Sequence, residues 1–293
     1  IFTDMFEPGS TAKMVTAAAL LDKGLVTPEQ EFTVPDKWKA PNDEEFRDSH
    51  EHPDEKLTFA GILAESSNTG TVIAGKELTE AQRYEYMKKF GFGTASGIGF
   101  PAETSGILHP YEEWDGRTKY TVMFGQGVAA NAIQTTDVIA TIANGGVHVP
   151  SRLVDGMVSP KGRTISTPAG EKQRVVSEKA ADETLRILEG VVAEGTGKSA
   201  QVSGYRVAGK TGTAQAPAAE GGGYDGYTAS FVGVLPAEDP ELAISVTLQR
   251  PRDGYYGGQA AAPVFSDVAG FAMRHLKIPP STQKPDLPAR EWK

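Results

Sequence analysis

The chain has 293 residues, enough for one or two domains, and its 39% hydrophobic and 23% charged content excludes a disordered tail and a membrane bundle. With 29 Lys and Arg against 38 Asp and Glu, the formal net charge of −9 argues against a nucleic-acid partner. The absence of cysteine excludes disulfides, thiolate catalysis, zinc–thiolate sites and iron–sulfur clusters.

The first two thirds of the chain predict mainly helices. In STAKMVTAAALLDKG (10–24), Ser10 is placed to cap a helix, apolar residues recur at helical spacing and Gly24 is placed to end it. Residues 31–58 are polar and interrupted by prolines, which predicts a loop. Further helices are predicted over 57–76 on either side of Ser66–Gly70, and over 79–90, 131–145 and 178–194.

The last third predicts a sheet. Three segments rich in β-branched and aromatic residues indicate an antiparallel meander, with turns at Gly221–Gly223 and Ala237–Pro240; they are RVAGKTGTAQ, YTASFVGVLP and ELAISVTLQR. A closing helix over 259–276, with Pro263 in its first turn, precedes an extended Pro-rich tail at 277–293. Helices followed by strands favour the α+β class over alternating α/β.

Three short motifs indicate a nucleophilic serine site. Ser10 and Lys13 form S-x-x-K, and positions i and i+3 share a helix face, so the Lys13 amine can reach the Ser10 hydroxyl. A serine hydroxyl needs a nearby base, and a lysine serves as one when burial or neighbouring positive charge lowers its pKa. Lys210, in the third motif, can supply such a charge.

The other two motifs predict further walls of the site. Ser66 and Asn68 form S-x-N, whose hydroxyl can relay a proton and whose amide can hold a substrate carbonyl. Lys210-Thr211-Gly212, followed by Thr213, lies on a predicted strand. There the lysine charge and threonine hydroxyls suit a substrate carboxylate, and Gly212 is expected to let a substrate backbone approach closely.

The order of the motifs carries the prediction, since S-x-x-K alone occurs about once per chain by chance. A second S-x-x-K, Ser281–Lys284, is flanked by prolines and followed by no apolar helix, so it is set aside. The ordered set of three motifs is typical of penicillin-binding proteins and class A β-lactamases.

At these residues the sequence resembles the transpeptidase domain of class B penicillin-binding proteins. The resemblance covers roughly residues 1–275, and its details look most like the division-specific members of high-GC Gram-positive bacteria. Besides the motifs it rests on these segments: FEPGSTAK, LAESSNTG, GFGTASGIGFPAETSGIL, FGQGV followed by IANGGV, AGKTGTAQ and YYGGQAAAPVF.

The resemblance implies a peptidoglycan D,D-transpeptidase that cross-links stem peptides ending in D-Ala-D-Ala through a serine acyl-enzyme. It also implies that β-lactams acylate and inhibit the enzyme and that no metal or organic cofactor is needed. Ser10 is then the nucleophile and Lys13 its base. The other implied roles are transfer of a proton to the leaving amine (Ser66), contact with the acyl-side amide (Asn68), binding of the substrate carboxylate and backbone (Lys210, Thr211, Gly212, Thr213) and an oxyanion hole (backbone N–H of Ser10 and Thr213).

The family also implies a place and partners. We expect the extracytoplasmic face of the cell membrane, with an anchor outside this chain, and a membrane glycosyltransferase and other division proteins as partners. Two alternatives share the acylation half-reaction: a serine β-lactamase, which must also activate water, and a penicillin-sensing receptor domain without turnover. The chain offers no convincing Glu-x-x-Leu-Asn segment of the class A β-lactamase kind.

The implied fold has one departure. The penicillin-binding and serine β-lactamase-like fold has a central sheet of five antiparallel strands flanked by helices, and two of the strands precede S-x-x-K. Only nine residues precede Ser10, so we expect those strands, and a longer protein, upstream of Ile1. The transpeptidase domain is accordingly placed at 1–276, incomplete at its N-terminus, with the tail at 277–293.

One polar cluster has two readings. Two histidines and three carboxylates lie within seven residues, which suggests a metal site: Asp48, His50, Glu51, His52 and Asp54. Because H-x-H without further ligands is a weak metal signal, the sequence favours a solvated loop.

Overall fold

The computed structural model describes residues 1–167, 170–218 and 222–293, and these form helices packed on both faces of an antiparallel sheet. The helices are α1 (Lys13–Asp22), α2 (Phe59–Glu65), α3 (Asn68–Gly75), α4 (Glu80–Lys89), α5 (Thr118–Thr121), α6 (Ala132–Ala143), α7 (Glu178–Ala193) and α8 (Gly257–Leu276). The longer ones match the helices that the sequence predicts. The α+β class is therefore confirmed.

The strands are β1 (Glu31–Val34), β2 (Lys37–Lys39), β3 (Glu45–Arg47), β4 (Glu55–Thr58), β5 (Val147–His148), β6 (Gly156–Val158), β7 (Thr164–Ser166), β8 (Gln173–Arg174), β9 (Ala208–Pro217), β10 (Tyr224–Leu235) and β11 (Leu242–Gln249). The prediction of a loop over 31–58 was wrong. This segment forms two antiparallel pairs, β1 with β4 and β2 with β3. Its prolines lie between the short strands, where no ladder hydrogen bond is needed.

The predicted meander is confirmed, in the order β9–β10–β11. Lys210 faces Val232 and Thr213 faces Ala229 across the β9–β10 ladder. Helices α6 and α7 contact the sheet on one side, while α8 packs on the other through Phe265 against Phe231. In the described ranges β11 pairs with β10 alone, and the two further strands expected upstream stay a prediction. Gly221 of the predicted turn lies outside the described residues.

Helix α1 runs through the core. Nine of its ten residues are buried, and it packs against α3, α4, α6 and α7. Such burial explains why the helix is apolar all round rather than striped. Gly24, at a φ of +64°, ends it in the left-handed region, as predicted.

Two local predictions were wrong. Ser10 does not cap α1 but lies inside a 3-10 turn, Gly9–Ala12, that precedes it. Pro263 does not lie in the first turn of α8, because that helix begins at Gly257, two residues before the predicted start.

The tail after α8 returns across α2. Arg290 O accepts from Thr58 N at 2.9 Å, and the Arg290 guanidinium pairs with the Glu65 carboxylate. A Cβ on Gly61 would lie 2.0 Å from Arg290 O, so the glycine permits this contact. The tail thus braces the helix that leads to Ser66. A separate boundary at 276/277 stays a prediction.

None of the described helices combines the length and the apolarity needed to cross a membrane.

Candidate active site

The turn that carries Ser10 lies against strand β9. A Cβ on Gly9 would come within 2.9 Å of Thr213 O, and one on Gly212 would come within 3.0 Å of Pro8 O. Gly9 also has a φ of +53°, a conformation that glycine adopts without a steric penalty. These close approaches bring the backbones of Ser10 and Thr213 side by side, as an oxyanion hole made of their two N–H groups requires.

Lys13 begins α1, and its amine points at the second motif. The side chain is fully buried, and Nζ donates to Ser66 O at 2.5 Å and to Asn68 Oδ1 at 2.8 Å. Ser66 Oγ lies 3.4 Å from the same nitrogen. Among the described residues Lys13 forms no hydrogen bond to Ser10, although the i, i+3 spacing predicted that the amine could reach it. The amine is instead anchored on the opposite wall.

Ser66 and Asn68 occupy the junction of α2 and α3. Ser66 ends α2 in the left-handed region, at φ 60° and ψ 33°, which costs a non-glycine residue about 1 kcal/mol or more. Ser67 then caps α3, because its Oγ accepts from Gly70 N at 2.9 Å. The reversal between the two helices turns the Ser66 carbonyl and the Asn68 amide toward Lys13.

Lys210 reaches the same point from the sheet. It is fully buried on β9, and its Nζ donates to Ser66 Oγ at 2.8 Å. The Ser66 hydroxyl therefore lies within reach of both amines. The structure brings four predicted residues, Lys13, Ser66, Asn68 and Lys210, into one hydrogen-bonded network.

The threonines of the third motif have partners of their own. Thr211 Oγ1 lies 2.9 Å from Thr196 Oγ1, and Thr213 Oγ1 accepts from Gly257 N at 3.0 Å. Since Thr213 accepts there, its hydroxyl proton is free to be donated to an anion. An added Cβ on Gly212 would lie 2.2 Å from Ser230 Oγ, so the glycine accommodates the protein's own packing, and the close approach of a substrate backbone stays a prediction.

Burial shapes the titration of both lysines. It lowers the pKa of Lys13 to about 7, with the Asp48 charge acting in the opposite direction. Burial also lowers the pKa of Lys210, the Lys13 charge lowers it further and the Glu65 charge opposes both. An amine with a pKa near 7 is divided between its two protonation states at neutral pH, which suits proton transfer.

The reading of residues 48–54 as a solvated loop was wrong for two of its members. The side chains of Asp48 and His52 are 5% and 6% exposed, and Asp48 Oδ2 accepts from Ser67 Oγ at 2.6 Å. No His, Asp and Glu group suited to a metal ion occurs in the described part of the chain. Asp48 is the residue that the sequence reasoning missed; the absence of any nearby motif left its burial without a signal.

The second S-x-x-K lies outside this network. Ser281 is in the tail, where its Oγ accepts from Arg206 N at 2.9 Å and no helix follows. This packing role agrees with its exclusion as a nucleophile.

Comparisons with known proteins agree with these motifs. The sequence profile of the "Penicillin binding protein transpeptidase domain" family matches residues 1–270. The chain is 35% identical over 285 residues to penicillin-binding protein PbpB of Mycobacterium tuberculosis, covering 94% of this chain and 42% of that protein. It is 31% identical over 281 residues to peptidoglycan D,D-transpeptidase FtsI of Escherichia coli, covering 95% of this chain and 45% of that one.

Solved structures show the same fold. A peptidoglycan synthetase from Bifidobacterium adolescentis superposes with a TM-score of 0.93 at 36% identity, covering 99% of this chain and 53% of that one. Penicillin-binding protein 3 from M. tuberculosis, complexed with aztreonam, gives 0.92 at 33% identity, covering 100% and 66%. The chain spans less than half the length of both curated relatives named above.

Proposed function

The chain belongs to the penicillin-binding protein transpeptidase domain family, and from this premise we propose that its site is a D,D-transpeptidase that cross-links peptidoglycan stem peptides through acylation of Ser10. The observation that carries the proposal is the network in which Lys13, Ser66, Asn68 and Lys210 meet beside the Ser10 turn. The names of the relatives, a D,D-transpeptidase among them, support the same reaction.

The first half-reaction forms an ester. Ser10 Oγ attacks the carbonyl of the penultimate D-Ala while its proton passes to the neutral amine of Lys13, the base whose pKa lies near 7. The N–H groups of Ser10 and Thr213, on backbones that lie side by side, stabilise the oxyanion. The C–N bond then breaks, and the terminal D-Ala leaves as its amine takes up a proton through the Ser66 hydroxyl.

The carboxylate end of the substrate is assigned to β9. Lys210 carries the charge, and the hydroxyls of Thr211 and Thr213 donate beside it. Burial and Lys13 disfavour the charged form of Lys210 in the absence of substrate. An arriving carboxylate reverses this, because an opposite charge raises the pKa of a lysine. Gly212, on the same strand, is assigned to the close approach of the substrate backbone.

The second half-reaction returns the serine. An amine of a neighbouring stem peptide attacks the ester carbonyl and passes a proton to the neutral amine of Lys13. The ester C–O bond breaks as the new amide bond forms, and Lys13 returns that proton to Ser10 Oγ. Asn68 holds the acyl-side amide during both steps. A β-lactam enters the first half-reaction in place of D-Ala-D-Ala, but its amine stays tethered to the acyl group.

We place this reaction in cell-wall synthesis at the division septum, on the outer face of the cell membrane, in a longer protein that works with a membrane glycosyltransferase and other division proteins. The support is the similarity to mycobacterial PbpB and to FtsI.

The proposal is tested by intact mass after mixing the protein with benzylpenicillin and, separately, by D-Ala release from a stem-peptide mimic. We expect one stable penicillin adduct and measurable D-Ala release, both absent in Ser10→Ala. Ser199→Ala, which changes an exposed serine in the middle of the 3-10 turn Lys198–Ala200, is the matched control and is expected to form the adduct. Rapid drug hydrolysis without an adduct would instead indicate a β-lactamase. A stable adduct without D-Ala release would indicate a sensor, and the absence of both an adduct and loss of the drug would overturn acylation of Ser10.

A further inference from the structure

We propose that Asp48 is a positioning residue of this site: its buried carboxylate fixes the Ser66–Asn68 turn against Lys13, is itself oriented by His52, and supplies a fixed negative charge that acts on Lys13. The inference rests on the proposed function for its catalytic meaning. It concerns a residue outside the three motifs, from a segment that the sequence alone presented as loop.

The Asp48 carboxylate accepts several hydrogen bonds at the junction of α2 and α3. Its Oδ1 accepts from the N–H of Asn68 and from the N–H of Thr69, the latter at 3.0 Å. Its Oδ2 accepts from Ser67 Oγ at 2.6 Å and lies 3.1 Å from His52 Nε2. Three consecutive residues of the second motif and its flank are therefore tied to one side chain. A carboxylate at the start of a helix is also favoured by the helix dipole.

This clamp acts on the strained part of the site. Ser66 holds a left-handed conformation, and such a conformation persists only when the surrounding structure fixes it. Asp48 fixes the residues that follow, so the Ser66 carbonyl and the Asn68 amide stay directed at Lys13. Loss of the clamp frees this turn, and the Lys13 amine then loses its two anchors.

The charge of Asp48 has a second consequence. In the described part of the chain, neither Lys13 nor Lys210 has a carboxylate within ion-pair distance. Asp48 on one side, and Glu65 beyond Lys210 on the other, are the negative charges that favour the protonated amines. Asn68 lies between the two charges, because its backbone N–H donates to Asp48 and its side-chain Oδ1 accepts from Lys13. Removal of the Asp48 charge therefore favours neutral Lys13.

His52 orients the carboxylate from behind. Its Nδ1 lies 2.8 Å from Pro53 O and 3.8 Å from Glu55 Oε2, while Nε2 faces Asp48. Burial disfavours the imidazolium, yet the bonds to Pro53 and Asp48 and the charge of Glu55 outweigh it and raise the pKa of His52. The His50 ring, 5.4 Å away between centroids, is a further titratable neighbour.

The test separates geometry from charge with two variants. Asp48→Asn keeps an oxygen for Asn68 N and Thr69 N, and its amide can donate to Ser67 Oγ and to neutral His52. Asp48→Ala removes both clamp and charge. Asp54→Asn makes the same charge change at an exposed position of the same loop and is the matched control.

We measure benzylpenicillin acylation rates from pH 5 to 9 for all four proteins. Asp48→Ala is expected to acylate at least about tenfold more slowly at every pH, because the turn is released. Asp48→Asn is expected to acylate at the wild-type rate above about pH 8. The midpoint of the rise of its rate with pH is expected to be lower by about half a unit or more, because the negative charge that favours protonated Lys13 is removed. Asp54→Asn is expected to match wild type.

The titration of Lys13 is also followed without substrate, from the 15Nζ chemical shift in wild type and Asp48→Asn. A wild type that is not acylated overturns the proposed function, while the titration still decides this inference. Coincident Lys13 midpoints in the two proteins overturn the charge role of Asp48. Acylation of Asp48→Ala at the wild-type rate overturns the clamp. If Asp48→Ala does not fold, the clamp is instead overturned when the acylation rate of Asp48→Asn stays below that of wild type above pH 8.

Discussion

The two buried lysines of the site differ in what surrounds them. Lys13 starts a core helix and donates to a carbonyl oxygen and an amide oxygen, with the charge of Asp48 behind them. Lys210 lies on the edge strand β9, and its shortest hydrogen bond is to the Ser66 hydroxyl. This difference agrees with the roles proposed above, in which Lys13 is held in place for proton transfer and Lys210 meets the substrate carboxylate.

Ser66 joins the two regions. Its carbonyl binds Lys13, and its hydroxyl binds Lys210. Because the bonds leave from one residue in a strained turn, a shift of either wall is transmitted to the other. Substitutions around each lysine therefore test whether the two amines have different roles.

The largest effect is expected from Lys13→Met, which keeps the length of the side chain and removes the base. Acylation by benzylpenicillin should fall by at least about 100-fold, within the usual range for a lost general base. In wild type the rate should rise with pH through a midpoint of about 7, because in the proposed mechanism the neutral amine of Lys13 accepts the Ser10 proton.

Fluorescent-penicillin kinetics across pH measure both results. Lys179→Met, at an exposed position of α7, is the matched control and should keep the wild-type profile of acylation rate against pH.

The lowered pKa of Lys13 also makes the free energy of unfolding depend on pH. Between about pH 7 and the ordinary lysine value the unfolded chain binds more protons, so wild type should gain stability with pH relative to Lys13→Met. Acylation of Lys13→Met at the wild-type rate would contradict a role for Lys13 in proton transfer.

A smaller effect is expected from Lys210→Met. A hydrogen bond to a charged group contributes about 1.5–3 kcal/mol, so the second-order acylation constant should fall about 10- to 100-fold. The loss should appear mainly in the binding of the carboxylate-bearing drug, as read from the concentration dependence of the rate. A larger loss for Lys210→Met than for Lys13→Met would reverse the division of roles.

The smallest effect is expected where the two walls pack together. Gly212→Ala places a Cβ against Ser230 Oγ and the Thr11 methyl group, so the protein should lose about 1–3 kcal/mol of unfolding free energy. Gly190→Ala is the matched control, because nothing lies within 4 Å of its added Cβ and α7 gains a better helix former. Thermal unfolding measures both, and an unchanged midpoint for Gly212→Ala would show that the walls tolerate separation.

Local patterns predicted the elements that carry the motifs. The helix around Lys13, the break at Ser66 and the strand of Lys210 follow from apolar periodicity, β-branched composition and glycine placement. The cap at Ser10 was misplaced because a 3-10 turn and an α-helix share the same residue preferences at their start.

The segment 31–58 was predicted least well. Its strands have three or four residues each, too short for a period of two to stand out from polar neighbours. They are stabilised by pairing with each other and by the tail, where Trp292 Nε1 donates to Phe32 O at 3.0 Å. Because a partner 260 residues away leaves no signal in the local sequence, the prolines led to the prediction of a loop.

By itself the sequence determined the chemistry available: a serine and a lysine one helical turn apart, an S-x-N turn and a lysine on a strand, in a chain without cysteine. Only the tertiary structure decided how these groups act together. Folding buries both amines, which lowers their pKa, and directs Lys13 at Ser66 and Asn68 rather than at Ser10. It also places the Asp48 charge near Lys13. Burial and the electrostatic field at each amine depend on contacts between segments that are distant in the chain, so the sequence pattern alone does not reveal them.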